Sequence, residues 1–212
     1  MMFSIIVPWY QGTVKDEEFE ACLDSLLIQD YKDFEVLIYH DGELERPLTK
    51  KMEDSILKLK AKVTAEGKRQ DMWGHNNRDL GIREAKGDYI VHVNSDNILY
   101  NILYNISEAI KMNDNNVYVF PIRMNYMKMT PNPSNLNQML IYKTSNKEDG
   151  VVLRGNPVLG AIDAMQLVMS KEKWLKHNGW FDKTRDSDGI MYPVFCKDGY
   201  YTDKKIIIGE HN

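Results

Sequence analysis

The chain has 212 residues, 43% hydrophobic and 27% charged, with a formal net charge of -4; this leaves room for one sizeable core in an ordinary water-soluble composition. The mild acidity excludes a general nucleic-acid binder, which needs a basic face, so any phosphate chemistry must rest on local groups or a metal. No segment reaches the ~18 uninterrupted apolar residues of a membrane span, and two cysteines without a CxxC, Cys22 and Cys196, read as free thiols of a reducing cytosol rather than a disulfide.

The opening MMFSIIVPWY is too short in its apolar run for a signal peptide and lacks a basic flank, so a cytoplasmic protein is expected. Phe3–Val7 is β-branched and closed by Pro8, the pattern of a buried strand. Asp16–Ile28 places Phe19, Cys22, Leu23, Leu26 and Leu27 at helical spacing, with acids in the first turn where the helix dipole favours them. Phe34–Tyr39 is a second strand, stopped by His40-Asp41-Gly42. Met52–Val63 has a weaker helical pattern, and Arg78–Ala85 is a short helix ended at Lys86-Gly87-Asp88. A third strand, Tyr89–Val93, stops abruptly at Asn94-Ser95-Asp96-Asn97, and Ile98–Met112 reads as a helix.

Apolar strands alternating with helices indicate a parallel sheet covered on both faces, and ligands of such sheets gather at the carboxyl ends of the strands. The three polar stops at Pro8–Gln11, His40–Gly42 and Asn94–Asp96 should therefore converge. Beyond them, Asn116–Arg123 is a strand with Pro121 marking an edge or bulge, and the polar stretch Met124–Gly150 reads as a long excursion. Ala164–Met169 reads as a strand, Lys171–His177 as a short helix, Arg185–Gly189 as an acidic turn and Lys204–Ile208 as a closing strand. No repeat or linker divides the chain.

Four segments, in this order, carry a family resemblance: FSIIVPWYQG; LDSLLIQDYKDFEVLIYHDGE; NNRDLGIREAKGDYIVHVNSDN; and GWFDKTRDSDG. Together they resemble the family-2 glycosyltransferases of GT-A fold, which take sugars from nucleotide diphosphates. The compact length is similar to that of short members encoded by large DNA viruses of algae, which decorate capsid glycans; that would put the protein in the host cytoplasm. The resemblance implies an α/β GT-A fold, a central mostly parallel mixed sheet flanked by helices. It implies a single domain over 1–212, with a nucleotide-binding half (1–112) and an acceptor and catalytic half (113–212). The activity implied is metal-dependent transfer of a hexose from a UDP-sugar, UDP-glucose-like, to a hydroxyl of a glycan or glycoprotein acceptor, with Mn²⁺ or Mg²⁺ as cofactor. Further domains of a longer chain would fit the family as well.

The resemblance also assigns roles. Asp96 aligns with the last acid of an Asp-x-Asp motif and would touch the metal, with Asn94 and Ser95 beside the nucleotide; a plain Asx turn is the structural alternative. With so few acids, His211 is a second candidate ligand, against an unstructured tail. Asp41 would accept uracil N3–H, with Pro8 and Tyr10 lining the base pocket, against an ordinary Asp-Gly turn. His40 and Glu43 stand where the family carries Asp and Ser. Arg78 would meet the diphosphate, although Asp79 replaces the usual Asn after it; His75, Asn76 and Trp73 are further nucleotide candidates. Asp186 aligns with the family's catalytic base and Asp188 could share its task. Arg185 replaces the usual acid and could instead pair with Asp186; a solvated turn is the alternative. Trp180 is a candidate sugar platform. Three other readings compete. A nucleotidyltransferase would want a basic, Gly-rich first loop, and a dehydrogenase a GxGxxG; neither is present. A non-catalytic nucleotide-sugar or glycan-binding module of the same fold fits the thinned acids.

Overall fold

The computed structural model describes residues 1–65, 67–113, 117–146, 148–157 and 162–212. In chain order the elements are β1 (Phe3–Trp9), α1 (Asp16–Leu27), β2 (Phe34–His40), α2 (Lys50–Leu59), β3 (Lys62–Thr64), α3 (His75–Glu84), β4 (Tyr89–His92), β5 (Ile98–Leu99) and α4 (Leu103–Met112). Next come β6 (Val117–Val119), β7 (Ile122–Asn125), β8 (Met127–Asn132), β9 (Asn135–Lys143), β10 (Gly150–Leu153), β11 (Leu167–Ser170), α5 (Lys171–Lys176), α6 (Ser187–Phe195) and β12 (Gly209–His211).

The main sheet has the order β3-β2-β1-β4-β11-β6. β1 pairs in parallel with β2 and β4, Ile5 lying opposite both Val36 and Val91, and β3 extends the parallel part. β11 then joins β4 antiparallel and β6 joins β11 antiparallel, so the sheet is mixed. Alternation along β1 explains the layers. Phe3, Ile5, Val7 and Trp9 face one core with Phe19 and Leu23 of α1 and Ile106 of α4, while Ile6 faces a second core with Ile82, Trp174 and Phe195. A sheet buried on both faces forces such near-continuous apolar strands. This is the α/β fold, helices flanking a central mixed sheet, that the sequence leads one to expect.

The helix α3 lies unusually close to β1, because a Cβ on Gly81 would stand 2.7 Å from Ile6 Cγ2. On the other side of the sheet, Gln29 fastens the end of α1 to the segment after β5. Its buried amide nitrogen donates to the carbonyls of Ser25 (2.9 Å) and Tyr100 (2.8 Å), and its oxygen accepts from the amides of Ile102 (3.2 Å) and Leu103 (3.3 Å) at the start of α4.

Several boundaries depart from the sequence reading. The Met52–Val63 segment divides: α2 ends at Leu59, Lys60 takes a left-handed φ of 52°, and the chain turns into β3. Ile98–Leu99 is a short strand and the helix starts only at Leu103, capped from outside by Gln29. Met124–Gly150 is not a formless excursion. Tyr126, at φ 56°, turns the chain from β7 into the β8–β9 hairpin; Pro133 sits in its turn and Pro131 pairs within β8, beside a register shift. The closing strand is not Lys204–Ile208, because Asp203 closes a turn there through its side chain and carbonyl. The pairing residues are Gly209–His211, inserted between β7 and β5 in a sheet of order β10-β7-β12-β5. Within Ala164–Met169, the first three residues form a 3₁₀ turn before β11 begins. The start of the predicted strand at Asn116 lies outside the described residues.

Candidate active site

A cleft of about 640 Å³ opens at the carboxyl edge of the main sheet, lined by groups from all three polar strand ends: Trp9 and Tyr10, Asp41, and Asn94, Ser95 and Asp96. The loop after β1 is held by its own turn, with the Tyr10 carbonyl accepting from the Val14 amide at 3.1 Å. It is also held by His40. The Gln11 amide donates to His40 Nε2 (3.0 Å), which leaves the ring proton on Nδ1, facing the Gly42 carbonyl at 2.9 Å. A histidine in place of a carboxylate at the end of β2 thus staples two cleft loops together.

At the end of the cleft beside the β1 loop, Tyr10 donates its hydroxyl to Glu45 (2.5 Å) and accepts from Arg69 Nη1 (2.9 Å); the Arg69 guanidinium lies 3.8 Å over its ring. The Asp41 carboxylate accepts from the amides of Gln70 (2.9 Å) and Asp71 (3.1 Å). Those two bonds leave lone pairs for a further donor. Pro8 is buried in β1 below the cleft rather than on its wall; Gly74 passes over it, and a Cβ there would stand 2.7 Å from Pro8 Cβ. The segment leading into α3 is strained, with φ of 54° at Asp71 and 48° at Trp73, a rare conformation for a bulky side chain.

Arg78 is 5% exposed. It donates Nη1 to the Trp73 carbonyl (2.7 Å) and Nη2 to Asn94 Oδ1, and its guanidinium lies 5.0 Å over the Trp180 ring. It forms no ion pair among the described residues, and its buried Nε lacks a hydrogen-bond partner there. Burial pushes its pKa down, against the pull of neighbouring acids. A buried cation without a bound anion is costly unless one arrives, and this one faces the cleft. Asn94 is thereby engaged as the clamp of Arg78, and Ser95 is buried beside it.

Asp96 and His211 line the same cleft from neighbouring strands. β12 pairs with β5 directly after the Asp96 turn, and Asn212 Nδ2 donates to the Asp96 carbonyl at 2.8 Å. Burial raises the Asp96 pKa. Burial works against a charged His211, but Asp163 and then Asp96 outweigh it, so the His211 pKa is raised. Asp163 joins the site from the 3₁₀ turn before β11. Burial would raise its pKa, and His211 reverses the shift. The sequence motifs miss Asp163; its only signal is a carboxylate standing between apolar neighbours just ahead of a strand.

The acidic turn proves to be the start of α6, and this separates its two aspartates. Asp188 lines the cleft, its carboxyl pushed up to about 6 by burial and by the nearby Asp163 charge. Asp186 is exposed and paired with Arg185 at 3.3 Å, as adjacency leads one to expect; pairs as exposed as this contribute little. Trp180 is not a sugar platform. It is 1% exposed, stacked with His75 at 5.4 Å and Trp174 at 5.6 Å, and its indole N–H donates to Ser187 Oγ (3.0 Å) at the first residue of α6. His75 also touches Ser187 (3.3 Å), and burial followed by the Arg78 charge lowers its pKa to about 4, keeping it neutral. Trp73 is 59% exposed at the cleft rim.

Among the described residues, no group of three or more His, Cys, Asp or Glu side chains is arranged to hold a metal ion. Asp96 and His211, which both line the cleft, are the oxygen and nitrogen donors that could serve a hard dication of the kind that keeps waters and takes phosphate oxygens for the rest of its shell. The charges of Asp163 and Asp96 both reach His211.

Residues 4–171 match the sequence profile described as Glycosyl transferase family 2. No curated protein matches the chain. Among solved structures, S. aureus TarS (residues 1–349) superimposes with a TM-score of 0.72 at 16% identity, over 100% of this chain and 60% of that one. A second TarS structure, in complex with UDP-GlcNAc, gives 0.70 at 16% identity over 100% of this chain and 58% of that one. The mannosyltransferase PcManGT from Pyrobaculum calidifontis, in complex with GDP-Man and Mn²⁺, gives 0.65 at 14% identity over 99% of this chain and 56% of that one. The chain thus spans about 60% of the length of the TarS structure it matches, and the likeness is one of fold. No described helix is long and apolar enough to cross a membrane.

Proposed function

The chain belongs to glycosyl transferase family 2, and on that premise we propose that it moves a hexose from a UDP-sugar, UDP-glucose-like, to a hydroxyl of a glycan or glycoprotein acceptor. The observation that carries this reading is the pairing, in one cleft, of a buried guanidinium with no carboxylate partner among the described residues, Arg78, and a carboxylate poised near neutrality, Asp188. The first is suited to a diphosphate; the second is suited to accept a proton at neutral pH.

In this reading the uracil N3–H donates to Asp41 beside the Tyr10–Arg69 pair. The diphosphate takes the free donor of Arg78, which stabilises the charge that grows as the bond from the anomeric carbon to the phosphate oxygen breaks. Asp188 removes the proton of the acceptor hydroxyl as that oxygen attacks the anomeric carbon, and the diphosphate departs with the electron pair. Asp96 and His211 would hold a divalent cation, Mn²⁺ or Mg²⁺, which when bound supplies positive charge at the diphosphate. Asn94 acts through Arg78, and Ser95 lines the cleft beside the diphosphate. Asp186, turned to solvent, takes no part in this scheme.

The test is calorimetric titration of UDP, GDP and CDP with Mn²⁺ or with chelator, followed by UDP release from UDP-glucose with and without sugar acceptors. UDP should bind best, require the cation, and lose at least tenfold in affinity in Asp96→Ala. Nucleotide binding indifferent to both the cation and Asp96 would overturn the reading. Tight UDP-sugar binding with no release under any acceptor would leave a binding module instead of an enzyme.

A further inference from the structure

Asp163 is the most deeply buried carboxylate of the cleft, 9% exposed, and it is fixed at both ends. Its Oδ1 accepts the Met165 amide at 2.9 Å, and its own amide donates to Gln166 Oε1 at 2.9 Å. The second oxygen, Oδ2, stands 3.3 Å from Nδ1 of His211. That Nδ1 is itself buried and has no aligned hydrogen-bond partner among the described residues, so Asp163 is the charge it faces. His211 sits on β12, held by pairing with β5 and β7. Its ring is therefore presented by a strand and confronted on one nitrogen by a carboxylate.

A carboxylate next to one imidazole nitrogen keeps the proton there and leaves the lone pair of the other nitrogen free. We propose that Asp163 is a positioning residue that holds His211 in the Nδ1–H tautomer and so leaves Nε2 available to the divalent cation it shares with Asp96. The inference rests on the reading of His211 as a metal ligand. A structural role for Asp163 alone would be the cap on the 3₁₀ turn, and that role needs only Oδ1. Asparagine keeps an oxygen for the cap and loses the charge that fixes the tautomer.

The experiment measures Mn²⁺ binding by electron paramagnetic resonance, with and without UDP, in the wild type, Asp163→Asn, His211→Ala and the double variant. Asp163→Asn should keep its melting temperature and bind Mn²⁺ about 10–100-fold more weakly, the usual effect of losing such a partner. In the His211→Ala background the same substitution should have little further effect. If His211→Ala leaves Mn²⁺ binding unchanged, the ligand reading itself falls and takes this inference with it. If His211→Ala weakens binding while Asp163→Asn does not, the ligand reading stands and the positioning role is overturned. Additive losses would mean that Asp163 acts by its charge alone, again against the proposal. Should Asp163→Asn fail to fold, the ¹⁵N shifts of wild-type His211 at mildly alkaline pH decide. The Nδ1–H form supports the proposal and the Nε2–H form overturns it.

Discussion

Asp186 and Asp188 stand two residues apart, and the fold gives them opposite surroundings: one faces solvent and Arg185, the other faces the cleft. Asp188→Asn is expected to lower the transfer rate by about 10²–10⁴-fold while UDP affinity is kept, since only proton removal is lost. Asp186→Asn should stay within about threefold of wild type, consistent with the small energies of exposed pairs. The same assignment fixes the sign of the pH dependence. The base must be ionised, its pKa is raised to about 6, and so kcat/KM should fall about tenfold per pH unit below that value and level off above it. An acid limb near the ordinary aspartate range, or one that survives in Asp188→Asn, would exclude Asp188. Sequence can nominate both acids, because both lie in one short acidic run. It cannot rank them, because which side chain faces inward depends on where α6 begins.

At the scale of elements, Gln29 is the clearest case of one side chain holding two segments together. Gln29→Ala removes the acceptor from the Ile102 and Leu103 amides and the donor from the buried Ser25 and half-buried Tyr100 carbonyls. Stranded buried groups of this kind cost on the order of 1–3 kcal/mol each before solvent and the helix end readjust. A loss of about 3 kcal/mol in urea-unfolding stability is expected, with α4 and β5 the first amides to gain hydrogen exchange. An unchanged midpoint would show that the bridge is dispensable. The long buried strands β1, β2 and β4 and the helix α1 are legible from period and composition alone. The short pieces are not. β5 and β12, of two and three residues, carry no periodicity, and Lys204–Ile208 looks like a strand because nothing in it reveals that Asp203 folds the chain into a turn. The β8–β9 hairpin is hidden by Pro133 in its turn and Pro131 beside the register shift in β8.

For the molecule as a whole, the cleft belongs to no single segment. Tyr10, Asp41, Arg78 and Asp96 come from the parallel half; Asp163, Asp188 and His211 come from the later half of the chain. A chain ended after Ile208 keeps the main sheet but loses β12, His211 and the Asn212 bond to Asp96. Its melting temperature should fall by several degrees, and Mn²⁺-dependent UDP binding should disappear, both readable in one thermal-shift titration. A truncated chain that still bound UDP with Mn²⁺ would remove His211 and the β12 clamp from the site. The convergence of the strand ends is legible in advance, since a parallel sheet dictates it. The contribution of Asp163 is not, because its proximity to His211, far along the chain, is a property of the finished topology.

The lateness of β12 also sets a schedule. Asn212 reaches back 116 positions to the Asp96 carbonyl. At roughly 5–20 residues per second of translation, many seconds separate the emergence of the two. Throughout that interval β5 and β7 lack the strand that joins them in the finished sheet. The second sheet is therefore closed by its latest strand, and its order β10-β7-β12-β5 is complete only when β12 slots between its two neighbours.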